Sequence, residues 1–242
     1  FTSLNSMEFS FFGNTLKSFF NNAFNEVYFQ ASSFLVGKPL FSNVEFNLVK
    51  GDKVAFLSRN QMAVTALFEV LTGGASPSAG EFKWGSTITY SYLPNDNSSF
   101  FKSQDNLIDW LRQFSADKNE TYVRGFLGKM LFSGEETFKK SSVLSGGEKV
   151  RCMVSRMMLT NANCLILDEP TNHLDLESIT AFNDALISWR HVTLFTSHDH
   201  RLTQTVANRI IEIGPNGVID KRMTYDEYIS DERVKEQRSG LY

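Results

Sequence analysis

The sequence predicts an α/β protein with a parallel core sheet and an inserted helical region. Three features carry that expectation. Short apolar runs of strand length recur at 53–57, 164–167 and 192–196, interleaved with stretches of helical character. Strands that alternate with helices argue a parallel α/β core. Residues 25–31 and 43–49 alternate apolar and polar side chains in strand fashion. Residues 105–141 differ from both, with apolar side chains at helical spacing.

Taken in order, Lys50-Gly51-Asp52 reads as a tight turn into the buried strand at 53–57. A helix is expected over 64–71, and Gly73-Gly74-Ala75-Ser76-Pro77 breaks the chain after it. Two further short strands are expected near 81–84 and 87–92. In the insertion, Leu107, Ile108, Leu111 and Phe114 recur at helical spacing, as do Val123, Phe126, Leu127, Met130 and Leu131. A helix over 147–160 leads into the strand at 164–167, and another over 177–189 precedes the one at 192–196. Gly214-Pro215-Asn216-Gly217 reads as a hairpin turn. The charged stretch from Asp226 to Arg238 is expected to be a solvated helix or tail.

A chain of 242 residues with 42% apolar side chains can fill one large core or two small ones. Its net charge of -3 gives no global attraction to nucleic acid. No apolar run approaches the ~18 residues that a membrane span needs. Residues 1–24 are rich in Phe, Asn and Ser but have no basic flank before an apolar stretch, so they do not read as a signal peptide. A linker or unstructured lead-in is expected there. The absence of Met at position 1 suggests a fragment or the downstream part of a longer chain. Cys152 and Cys164 fall in apolar contexts and read as buried, reduced thiols of a cytosolic protein. The four histidines have no zinc-like spacing.

The chemistry is concentrated late in the chain. Ser145-Gly146-Gly147-Glu148 has the form of a capping box, whose Ser and Glu satisfy helix-end amides. The same geometry with two glycines lets bare N–H groups approach a phosphate at a helix N-terminus. Asp168 and Glu169 end an apolar strand, where adjacent carboxylates are costly without partners. In a nucleotide site the first would orient Mg²⁺ through water and the second would polarise the attacking water. A strand ending at an exposed loop is the plainer alternative. His198 follows another buried strand and fits either a contact to a terminal phosphate or a simple turn histidine.

In this order, residues 144–148, 164–170, 171–175 and 197–199 resemble the signature, Walker B, D-loop and histidine segments of the ATP-binding cassette (ABC) family. Thr171-Asn172-His173-Leu174-Asp175 is more selective. It is similar to the soluble ABC-F group, whose members carry two cassettes on one chain and mostly act at the ribosome. Residues 126–134 and Tyr225-Asp226-Glu227-Tyr228 are similar to the second cassette of that group. The resemblance covers 25–230 as one nucleotide-binding domain, with a helical subdomain at about 100–143 and a charged tail at 231–242. It implies a P-loop NTPase-like fold in which a parallel core sheet is joined by an antiparallel β subdomain and a helical subdomain. It also implies ATP and Mg²⁺ as cofactors.

The phosphate loop departs from the family pattern G-x-x-x-x-G-K-[ST]. In its place stands Ser58-Arg59-Asn60-Gln61-Met62-Ala63-Val64-Thr65. Ser58 and Ala63 replace the glycines, Val64 replaces the lysine, and Thr65 keeps the hydroxyl on the metal side. Side chains at glycine positions obstruct close backbone approach to phosphates. Losing a charged donor costs ~1.5–3 kcal/mol, or roughly ten- to hundredfold in affinity. Arg59 lies five positions too early to replace the lysine simply. The resemblance places Asn95 at the glutamine-loop position, Phe34 near the adenine and Asp175 in the loop that meets an opposite cassette.

The expected site therefore has Glu169 and His198 as catalytic residues, and Thr65 and Asp168 at the metal. Ser58, Asn60, Thr65, Asn95, Ser145, Gly146, Gly147, Glu148 and Asp175 are expected at nucleotide. The resemblance implies a head-to-tail pair with a second cassette, in which this chain lends Ser145, Gly146 and Gly147 to its partner's site. Ribosome association, a cytoplasmic location, no stable membrane insertion and no sequence-specific DNA binding are expected with it. The competing expectations are the ATPase subunit of a membrane transporter and a binding module that no longer hydrolyses ATP.

Overall fold

A computed structural model describes residues 27–35 and 38–242, with side chains from Leu40 onward except Glu81. The lead-in expected at 1–24 lies outside the described residues. In chain order, β1 (Val27–Leu35) and β2 (Lys38–Leu48) precede β3 (Lys53–Leu57), which enters α1 (Gln61–Thr72). β4 (Ala79–Lys83) and β5 (Tyr90–Leu93) follow, then the inserted α2 (Leu107–Arg112) and α3 (Glu120–Lys129). α4 (Gly146–Thr160) leads to β6 (Cys164–Asp168), and α5 (Leu176–Ser188) leads to β7 (Val192–Thr196). α6 (His200–Val206), β8 (Arg209–Gly214), β9 (Gly217–Lys221), α7 (Tyr225–Ser230) and α8 (Glu232–Leu241) complete the order.

Two sheets form. β2, β1 and β4 make an antiparallel sheet in that order. The larger sheet runs β5-β6-β7-β3-β8-β9, parallel except for the β8–β9 hairpin at its edge. β6 and β7 are buried at every position, as strands covered on both faces should be. Phe56 of β3 ties the layers together, meeting Phe46 of the small sheet at 5.4 Å and Phe68 of α1 at 5.5 Å, both edge to face. A second core joins the insertion to α4, with Leu107, Trp110 and Leu111 packed among Val123, Leu127 and Met153.

Local chemistry moves several boundaries from their expected places. α1 starts three residues before the apolar pattern, because the Asn60 side chain caps it by accepting from Met62 N at 3.1 Å. It ends at Gly73, whose φ of +79° allows its N–H to turn back onto Glu69 and Val70. The charged C-terminal stretch is not solvated all round. It forms α7 and α8, and Tyr228, Val234 and Leu241 are buried. Val234 and Leu241 are seven residues apart, two helical turns on one face, and that spacing was the available signal.

Because β5, β6, β7 and β3 are parallel, Leu93, Asp168, Thr196 and Leu57 all end at one edge of the sheet. Ligands of open α/β sheets bind outside the carboxyl ends of the strands.

Candidate functional site

Asp168 is the last residue of β6 and stands in register with Thr196 of β7. Thr65, on α1, donates its hydroxyl to Asp168 Oδ2 at 2.8 Å. The other oxygen, Oδ1, is buried without a hydrogen-bond partner. Burial pushes the Asp168 pKa up, against the Thr65 hydrogen bond that lowers it. An orphaned carboxylate oxygen beside a threonine hydroxyl fits Mg²⁺, which takes one or two protein ligands and completes its shell with water and phosphate. Among the described residues no three His, Cys, Asp or Glu side chains gather into an all-protein cage.

Glu169 takes the chain out of the strand with φ of +51°, a left-handed conformation that costs a non-glycine residue roughly 1–3 kcal/mol. Its N–H donates to Thr196 O at 3.1 Å, and its buried carboxylate accepts the His198 N–H at 3.2 Å. His198 Nε2 lies 3.5 Å from Glu169 Oε1, while the His198 side chain is 80% exposed. The carboxylate is thus fixed from below, and the imidazole is open to whatever covers the site.

The signature segment is a complete capping box. Ser145 Oγ accepts from Glu148 N at 3.3 Å, and Glu148 Oε2 accepts from Ser145 N at 2.8 Å. Glu148 Oε1 also pairs with Lys139 Nζ at 2.7 Å. Burial would raise the Glu148 pKa, but the bonds from Lys139 and Ser145 outweigh it and leave it lowered. Gly146 and Gly147 are bare for a local reason as well. A Cβ on Gly147 would lie 2.5 Å from His173 O, and one on Gly146 3.1 Å from the His173 side chain. Asp175 caps α5, its Oδ1 accepting from Ser178 N at 2.8 Å, and this bond depresses its pKa. Asn95, Gly146, Asp168, Glu169 and His173 line one cleft of about 160 Å³.

Four amides of the loop 58–65 donate to protein acceptors. Arg59 N donates to the Tyr242 hydroxyl (2.9 Å), Asn60 N to Ser58 Oγ (3.2 Å), Met62 N to Asn60 Oδ1 (3.1 Å) and Ala63 N to Asn60 O (2.9 Å). Ala63 and Val64 are fully buried in the core with Leu67 and Phe68. Ser58 and Asn60 are therefore placed in the loop, but both serve its internal bonds. The Phe34 side chain lies outside the described residues.

Thr65, Asp168, Glu169 and His198 come together through sequence separations of up to 133 residues, and Asn95 lines a cleft with Asp168 and Glu169. Three contributors escaped the motif reading. Gln61 donates to Thr196 Oγ1 at 3.4 Å, and the Thr196 hydroxyl lies 3.5 Å from Glu169 Oε1. Thr196 had a signal, as the last residue of the strand before Ser197-His198. Tyr242 had none, being 183 residues from the loop it touches.

The family model described as ABC transporter matches residues 41–172. The chain is 57% identical over 208 residues to the uncharacterized ABC transporter ATP-binding protein YkpA of Bacillus subtilis (strain 168), covering 85% of this chain and 38% of that protein. It is 28% identical over 203 residues to ABC transporter F family member 5 of Arabidopsis thaliana, covering 82% and 29%. The chain thus spans less than two fifths of the length of these curated relatives. A solved dimeric ATP-binding cassette in a post-hydrolysis state, bound to ADP and Pi, matches with a TM-score of 0.69 and 13% identity. That match covers 82% of this chain and 98% of the other, and it shows the fold. No helix of the described residues is long and apolar enough to cross a membrane.

Proposed function

Because the chain belongs to the ATP-binding cassette (ABC transporter) family, we propose that it is one half of a head-to-tail cassette pair whose own phosphate loop binds nucleotide weakly. The observation that carries the proposal is the loop's bonded amides. Amides at 59, 60, 62 and 63 already donate to protein acceptors, where a phosphate cradle needs bare donors. The apolar Val64 stands in the core where the pattern calls for a lysine, a loss worth ~1.5–3 kcal/mol of charged hydrogen bonding.

The remaining parts suit a shared site. Thr65 and Asp168 would hold Mg²⁺, which when bound would supply positive charge against the triphosphate. Glu169, anchored by His198 N–H, would orient and deprotonate a water, and the exposed His198 ring would meet a terminal phosphate. Ser145, Gly146 and Gly147 begin a 15-residue helix whose dipole favours an anion on the partner's nucleotide. Asp175 starts the helix next to Leu176, which is 78% exposed and free to meet a second cassette.

Membership of the ABC-F group, and with it a cytoplasmic role at the ribosome, is supported by Thr171–Asp175 and by the likeness to an F family member. Replacing Ser145 with Arg in the two-cassette protein tests signature donation. ATP hydrolysis at the partner's phosphate loop should fall by ~10²-fold or more, the size of a lost transition-state contact. An unchanged rate would overturn the proposal.

A further inference from the structure

Tyr242, at the end of α8, reaches back to the phosphate loop. Its hydroxyl accepts the Arg59 N–H at 2.9 Å and donates to Glu212 Oε1 at 3.0 Å. The Arg59 guanidinium lies over the Tyr242 ring, 4.3 Å from its centroid. Glu212 is buried on β8, where it also accepts from Tyr228 Oη at 2.8 Å and pairs with Arg238 at 2.8 Å.

The end of α8 is docked firmly enough to hold this arrangement. Asn216 N donates to Leu241 O and Asn216 Nδ2 to Gly240 O, both at 3.2 Å, and the Leu241 side chain is buried. Gly214 makes the approach possible. A Cβ there would lie 2.8 Å from Leu241 O and 3.1 Å from the Tyr242 ring.

Arg59 is the one cation in 58–65. It borders a cavity of about 240 Å³ with Ser58, Gln61, Thr196, His198 and Arg238, so the loop's cation already stands near the ring expected at a terminal phosphate. Its guanidinium spends itself on an aromatic face.

We propose that Tyr242 is a positioning residue that holds Arg59 against the closing helix and so withholds the loop's cation from the phosphates of a nucleoside triphosphate. The proposal rests on the weak-site reading above. Releasing Arg59 supplies the kind of planar, charged donor that phosphate recognition favours. Tyr242 would then set how weakly the site binds.

The test is a titration of the whole chain with a fluorescent ATP analogue and Mg²⁺, read from the initial slope of each isotherm so that saturation is not required. Tyr242→Ala should steepen the slope about tenfold, the lower end for one charge-assisted bond. The Arg59→Ala, Tyr242→Ala double variant should lose that gain. Tyr242→Phe keeps the ring and loses only the hydroxyl, so it should give a smaller gain and guards against misfolding of the alanine variant. A Tyr242→Ala slope equal to wild type, or a gain that survives removal of Arg59, would overturn the proposal. If Tyr242→Ala unfolds, Tyr242→Leu, which keeps the bulk and removes the aromatic face, takes its place, and a slope equal to wild type overturns the proposal. Micromolar binding by the wild-type chain would defeat the weak-site reading itself, a separate outcome.

Discussion

Thr65 donates its hydroxyl to Asp168 Oδ2 at 2.8 Å and leaves Asp168 Oδ1 buried and unbonded. The helix after the phosphate loop is thereby tied to the end of β6, the strand next to the β5 edge of the sheet. One carboxylate oxygen is held and the other is presented. Ser58, Ala63 and Val64 stand earlier in the loop, and Thr65 reaches this carboxylate from it.

The raised pKa of Asp168 has a pH signature. Its folded pKa lies above the unfolded value, so the native state binds the extra proton between the two. Without Mg²⁺, this group's contribution to stability falls as pH rises through that window and is constant above it. Asp168→Asn should abolish that slope and be the more stable protein at neutral pH, measured by urea unfolding at stepped pH. Mg²⁺ should raise the midpoint of wild type and leave that of Asp168→Asn unchanged. Parallel pH profiles for the two proteins would contradict this.

Gly147→Ala places a methyl 2.5 Å from His173 O, a backbone atom that cannot swing aside. It should cost ~1–3 kcal/mol, as overpacking does, with no nucleotide present. Gly146→Ala meets the His173 side chain at 3.1 Å and should cost less. Equal stabilities of both variants and wild type in denaturant melts would show that His173 moves freely.

Asp175→Ala removes the cap of α5 and should cost ~0.5–2 kcal/mol, whereas Asp175→Asn should keep most of it. The Asp175 pKa is depressed by its bond to Ser178 N–H. Its contribution is therefore complete above the unfolded pKa and is lost as pH falls through the folded one. Thermal melts of the two variants at neutral pH separate cap from charge.

Phe56→Ala opens a void where the two sheets and α1 meet, and should cost ~3–5 kcal/mol. A loss under ~1 kcal/mol, typical of a surface site, would mean the layers do not pack there as described.

The parallel core was legible because its strands are short apolar runs and the insertion carries a clean helical period. The Ser145–Glu148 capping box and the end of β6 at Asp168 were legible because each is a local run with fixed spacing. What escaped notice depends on distant chain segments. The four bonded amides of the phosphate loop could not be counted in the sequence, since one acceptor is Tyr242. The glycines at 146 and 147 read as phosphate donors, and their second reason, the close approach of His173, needs the fold. Charge at 226–238 hid Tyr228 and Val234, which are buried along with Leu241 just beyond it.

The most direct measurement is calorimetric titration of MgATP into the wild-type chain and into a variant with the phosphate loop restored, Ser58→Gly, Ala63→Gly and Val64→Lys. A loop whose amides are already bonded predicts no saturation of the wild type by millimolar ATP. The restored loop should bind at least ~10-fold more tightly, from the charged donor alone. Micromolar saturation of the wild type, matched by the restored variant, would mean that residues 58–65 already form a working phosphate site.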